Sequence, residues 1–119
     1  MSTAYPEIQC AEGAVEVIFS DPSRRERELP ISIVVDLDWS GRLIGLEVIN
    51  LTLQAGKKAL VHVKQTLTSA QSPMRYSYDG ETDSFYLRLH VGDSSNQRSI
   101  VGTLFLDNDD QIVGIKVPG

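Results

Sequence analysis

Cysteine is almost missing from this chain, and Cys10 is the only one. A single thiol cannot close an internal disulfide or build a multi-cysteine zinc site. No basic neighbour adjoins it in sequence to lower its pKa, so it reads as a small, half-buried strand residue. Long apolar runs are absent as well, and nothing approaches the ~20 residues of a membrane helix. The opening residues, Met1 to Glu7, have neither the basic nor the apolar segment of a secretory signal. The expectation is a cytoplasmic protein with no membrane contact. Positive charge is scarce too: 11 Lys and Arg stand against 16 Asp and Glu, for a formal net charge of −5. That balance opposes nucleic-acid binding, which needs Lys and Arg to neutralise phosphates.

Catalytic signatures are equally thin. His62 and His90 are the only histidines, and neither has the spaced partner of a zinc pair. No nucleophile elbow and no phosphate-cradling glycine loop occurs. No catalytic residue and no cofactor is assigned.

What the chain does contain is a repeat. Its 119 residues, 41% hydrophobic and 23% charged, suit one ordinary globular domain or two very small ones. Residues 35–48 align without a gap on residues 104–117. Leu37/Leu106, Asp38/Asp107, Gly45/Gly114 and Val48/Val117 are identical, and Val35/Leu104, Leu43/Ile112, Ile44/Val113 and Leu46/Ile115 are apolar in both. The shared pattern is an alternating strand, an acidic turn and a second alternating strand. After the turn, Ile44, Leu46 and Val48 match Val113, Ile115 and Val117 as an inward face. Gly45 and Gly114 fall on the opposite face, where a missing side chain points to a bulge or a close backbone approach. Upstream, Val15, Val17 and Phe19 alternate like Phe85, Leu87 and Leu89, each run following a turn.

The fold class expected is therefore mainly β, or α+β. Two tandem four-stranded antiparallel meanders, related by pseudo-twofold symmetry, occupy residues 1–50 and 74–119 in one compact unit. Residues 51–73 join them. Leu53, Leu60, Val63 and Leu67 approximate helical spacing, so a short joining helix is favoured; Gly56 weakens it, and a strand over Leu60 to Val63 stays open. Thr66 to Pro73 reads as a linker. The polar segments Asp21 to Glu28 and Gly92 to Arg98 read as solvated hairpin loops.

One string is more specific. Met74-Arg75-Tyr76-Ser77-Tyr78-Asp79, then Glu81, Asp83, Phe85-Tyr86-Leu87-Arg88-Leu89, and later Leu106-Asp107 with Ile112-Val113-Gly114-Ile115, resemble the small bacterial family named domain of unknown function 2283. Residues 74–117 carry the likeness, with Lys116 in place of that family's usual glutamate. In the first copy it lies in Val35 to Asp38 and Gly41 to Val48, and the opening Tyr-Asp element is missing. The resemblance implies a fold, with a short helix after the last strand, and no catalytic residues.

The acidic turns are the candidates for chemistry. Counted from Asp36, the run Asp36-Leu37-Asp38-Trp39-Ser40-Gly41 with Glu47 nearly satisfies a calcium-loop pattern. Alternating strands, not helices, flank it, and the second copy has Phe105 where Asp36 stands, so a type I or I′ hairpin turn is the ordinary reading. Asp107, Asp109 and Asp110 form a second acidic turn, and Asp79, Glu81 and Asp83 a third. The candidate metal ligands are thus Asp36, Asp38, Glu47, Asp107 and Asp109. Tyr76, Tyr78, Phe85 and Tyr86 read as cross-strand packing. Trp39, at a turn, reads either as an interface residue or as a lid folded over the core. The leading function is a non-enzymatic protein-interaction or structural accessory module with an unidentified protein partner and self-association through edge strands. The alternative is a small metal-dependent binding protein or enzyme using the acidic turns.

Overall fold

Apolar residues at every second position bury one face of a strand and leave the other for polar groups. The computed structural model, which describes residues 5–11, 13–69 and 74–118, turns this alternation into eight strands. They are β1 (Glu7–Ala11), β2 (Ala14–Ile18), β3 (Arg27–Leu37), β4 (Leu43–Val48), β5 (Arg75–Asp79), β6 (Ser84–Arg88), β7 (Asn96–Leu106) and β8 (Ile112–Pro118). The protein is mainly β. All neighbours are antiparallel in one sheet, ordered β1-β2-β8-β7-β3-β4-β6-β5.

That order corrects the expected meanders, because β2 and β3 are not neighbours: β8 and β7 lie between them. The reason is strand length. Both β3 and β7 are 11 residues long, whereas β2 has 5. A meander would lay β3 against β2 and leave half of its backbone groups without a ladder partner. Pairing β3 with β7 matches them end to end, from Arg27↔Leu106 to Leu37↔Asn96. The β1–β2 and β3–β4 hairpins of the first half thus flank β7–β8, and the β5–β6 and β7–β8 hairpins of the second half flank β3–β4.

The segment 19–26 makes the crossing, with a 3₁₀ turn at Pro22–Arg24 whose first amides are capped by the Asp21 carboxylate. Its arginines are not merely solvated, as the sequence suggested. Arg24 reaches Asp107 at 3.2 Å, Arg27 reaches Asp110 at 2.6 Å, and Arg25 pairs with Glu16 at 2.8 Å while lying 3.9 Å over the Phe105 ring.

The joining segment forms two helices, α1 (Leu51–Ala55) and α2 (Val61–Ser69), separated by Gly56 in the left-handed region at φ 101°. The strand alternative over Leu60 to Val63 is excluded, and residues 66–69 of the supposed linker are helical; 70–73 lie outside the described residues. Leu60 and Val63 are buried as the spacing implied, but Leu53 is 81% exposed, and Leu51 and Ala55 take the inward places. These helical side chains join Val17, Ile31, Ile33, Leu46, Phe85, Leu104, Leu106 and Ile115 in one core cluster. Asn50 provides no side-chain cap for α1. The carboxylate of Asp83, from the β5–β6 turn, accepts instead from the Thr52 amide and hydroxyl and the Leu53 amide, and its carbonyl accepts from Leu51.

Two substitutions test this frame by chemical denaturation. Asp83→Ala removes the cap and should lower stability by about 1–2 kcal/mol. Gly102→Ala places a methyl 2.5 Å from Ile33 Cδ1 and 2.8 Å from the Lys116 carbonyl oxygen. The resulting overpacking should cost about 1–3 kcal/mol, seen as a lower denaturant midpoint at unchanged slope.

Candidate functional site

The two acidic turns are built alike. Asp38 and Asp107 each donate an amide four residues on, to the carbonyls of Arg42 and Gln111, and each accepts at its own carbonyl from Gly41 or Asp110. Gly41 and Asp110 have positive φ, and the residues between do not, so the turns are not type I′. The Asp38 carboxylate accepts from the Ser40 amide and hydroxyl and the Arg42 amide; Asp107 accepts from the Asp109 and Gln111 amides and from Arg24. The Ser40 and Arg42 bonds hold the Asp38 carboxyl below its ordinary pKa. Both carboxylates therefore serve as scaffolds of their own turns.

Asp36 lies elsewhere. It is buried on the outer face of β3, accepting from the Tyr86 hydroxyl at 2.9 Å and from Gln97 Nε2 at 2.7 Å. To reach it, the Tyr86 ring crosses over Gly45, where any Cβ would lie 2.8 Å from the ring Cζ. Gly114 is similarly close to Phe105, at 3.2 Å. The close backbone approach read from both glycines is present. Glu47 stands half-buried on β4, paired with Tyr86, and Asp109 is exposed. Among the described residues, no group of three or more His, Cys, Asp or Glu side chains is placed to hold a metal ion.

The remaining candidates fall apart spatially. Asp79 accepts from the Glu81 amide within its own turn, whereas Asp83 is committed to α1 and to the Tyr78 hydroxyl at 2.6 Å. His90 Nδ1 accepts from the Arg42 guanidinium at 3.1 Å, and burial followed by the Arg42 charge lowers its pKa. The side chain of His62 lies outside the described residues. Cys10 is exposed, not half-buried. Trp39 is 90% exposed at the tip of its turn, which excludes the lid reading. Tyr76 and Phe85 pack across β5 and β6 with ring centroids 6.3 Å apart.

What sequence reasoning missed is an apolar groove of about 280 Å³ on the inner face, lined by Val15, Leu37, Leu43, Ile100 and Val117 with Arg98 at its rim. Val15, Leu37, Ile100 and Val117 lie on faces that alternation marks as inward, but Leu43 does not. The register shift at Asp36/Leu37 turns it inward in place of Ile44, as the shift at Phe105/Leu106 turns Ile112 inward in place of Val113. The convergence of these residues was not visible, because it requires β2, β8, β7, β3 and β4 in an order that alternation does not encode. Among the described residues, no carboxylate lines the groove.

No family model, no curated protein and no solved structure matches this chain. No helix among the described residues is long and apolar enough to cross a membrane.

The Tyr86–Asp36 contact gives a test of the outer face. Burial first, and the Asp36 carboxylate second, push the Tyr86 phenol up to about 12. The raised value means that its contribution to stability is complete below the unfolded pKa of about 10 and is lost as pH rises through the folded one. Tyr86→Phe leaves a buried carboxylate with one fewer donor and should cost about 1–3 kcal/mol at neutral pH by urea denaturation. Absorbance titration should place the Tyr86 phenolate well above the exposed tyrosines.

Proposed function

We propose that this chain is a cytoplasmic, non-enzymatic protein-interaction module, built by tandem duplication and docking a protein partner in the groove between β2 and β4. The observation that carries the reading is the groove itself, because apolar side chains converging on solvent are the usual mark of an interaction surface. The exposed Trp39 and the two edge strands add further sites of association. β1 and β5 each have a single strand neighbour among the described residues, and edge strands of this kind suit self-association. The net negative charge opposes a nucleic-acid partner.

Several registers support the duplication. Exchanging β1–β4 with β5–β8 and reading backwards leaves the sheet order unchanged. Ser32 faces Val101 at the middle of the central pair, and these residues are equivalent in the repeat. The register shift at Asp36/Leu37 recurs at the equivalent Phe105/Leu106. The Val15↔Val117 pair corresponds to Phe85↔Val48. The order of motifs over residues 74–117 keeps the likeness to the domain of unknown function 2283 family as part of this proposal, with interleaved hairpins in place of meanders.

The test is recovery of partners from the native cell. A protein retained by the tagged wild type and by Leu53→Glu, on α1, but lost from Ile100→Glu is the expected result. Recovery of the chain alone, or only as a self-dimer, would sink the reading. Calorimetric titration with calcium, magnesium and manganese should give no saturable heat. Saturable binding that disappears in Asp36→Asn and Asp38→Asn would favour the metal-dependent alternative instead.

A further inference from the structure

We infer that the groove is a helix seat, and that its occupant is an amphipathic helix with an acidic flank belonging to another protein. This rests on the interaction reading above and goes further by naming the partner's chemistry. The argument begins with rotation about the Ser32–Val101 pair, which carries β3 onto β7, β4 onto β8 and β2 onto β6. Under it, Val15, Leu37, Leu43, Ile100 and Val117 fall on Phe85, Leu106, Ile112, Ile31 and Val48. Those five counterparts are all at most 2% exposed. Of the groove's lining residues Val117 and Val35 are buried, whereas Val15, Leu37, Leu43 and Ile100 are half-exposed.

The difference between the two sites is a cover. On the Phe85–Ile112 side the cover is the α1–α2 segment, which buries Leu51, Ala55, Ala59, Leu60 and Val63 in the common core. It is fixed there by hydrogen bonds at both ends. Leu51 donates to the Asp83 carbonyl, and Ile112 donates to the Ala59 carbonyl. Gln54 accepts from the Ser32 amide at 3.3 Å, and the Thr66 hydroxyl donates to the Phe19 carbonyl at 3.4 Å. The groove presents the same strand frame and the same spacing of branched apolar residues, so an element of the same kind fits it. A volume of about 280 Å³ takes a few aliphatic side chains of such a helix.

Charge then sets the flank. Among the described residues, Arg98 is the only charged one lining the groove. The chain's own helical segment carries Lys57, Lys58 and Lys64, which Arg98 would repel. A second copy offering its α1–α2 face is thus a poor match, and a helix with carboxylates at the corresponding places is a good one.

The experiment uses the full chain and two synthetic, labelled peptides. One has the sequence of residues 50–69, and the other carries glutamate at the places of Lys57, Lys58 and Lys64. Fluorescence anisotropy follows affinity, and amide and methyl NMR shifts locate the site. The acidic peptide should bind about fivefold more tightly than the lysine peptide at low salt, with the preference shrinking as salt rises. Shifts should cluster at Val15, Leu37, Leu43 and Ile100. Arg98→Glu, at an exposed position that does not threaten folding, should reverse the preference. Absence of saturable binding by either peptide, shifts confined to another face, or an unchanged preference in Arg98→Glu would each overturn the proposal, as would a self-dimer closed through the groove. If both peptides fail while the native partner is still lost from Ile100→Glu, the helix occupant falls and the interaction reading stands.

Discussion

Everything in this fold depends on one ladder. The β3–β7 pair runs the full 11 residues of both strands, and it is the only contact that joins the first and last halves of the chain at the centre of the sheet. Once it forms, β4 has a place only beside the upper part of β3, and β8 only beside the lower part of β7. The outer hairpins then add to these strands, β2 to β8 and β6 to β4, so each half completes the other's edge. Backbone satisfaction explains the interleaving: the two long strands satisfy each other from end to end, and the shorter strands add to their outer sides. A long central ladder of this sort has high sequence separation, and pairing it requires closing large loops.

The two glycines on the outer face carry different side-chain chemistry over a similar backbone. At Gly45 the space is taken by Tyr86, which arrives from β6 to satisfy Asp36. At Gly114 it is taken by Phe105, which stands where Asp36 does, with Arg25 stacked above it and held by Glu16. One site solves burial with a hydrogen-bonded carboxylate and the other with an apolar ring under a cation. Both solutions need the bare glycine backbone beneath them. The glycine is the shared requirement, and the chemistry above it is free to vary.

Alternation made the strands legible, since Val15, Val17 and Phe19 or Phe85, Leu87 and Leu89 mark an inward face without knowledge of any partner. It did not make the neighbours legible. Val17 would pack as well beside Ile33 as beside Ile115, and only strand length, a property of ends and not of periodicity, decides between them. The helical segment was misread by register for a related reason: Leu53 fits the spacing, but the chain turns at Asn50, whose left-handed backbone starts α1 at Leu51 and rotates Leu53 outward. The cap on that helix is supplied by Asp83, about thirty residues away, so no local capping signal existed. The candidate ligands were legible as acids. Their roles were not, because the donors that occupy Asp36 come from Tyr86 and Gln97 on other strands.

The same hydrogen bonds bear on what kind of protein this is. A cation entering the turns would have to compete with the amides that already converge on the Asp38 and Asp107 carboxylates, and displacing them would open the turns that define the hairpins. Charge in this molecule is largely used for folding: Arg24, Arg25 and Arg27 each clamp the first half onto the second. The capacity that folding leaves over is apolar. It lies in the groove, where Val15, Leu37, Leu43 and Ile100 remain half-exposed. Two equivalent seats with one filled give the sheet a built-in comparison. The filled seat shows what geometry is stable there, and the open one keeps those four side chains half-exposed.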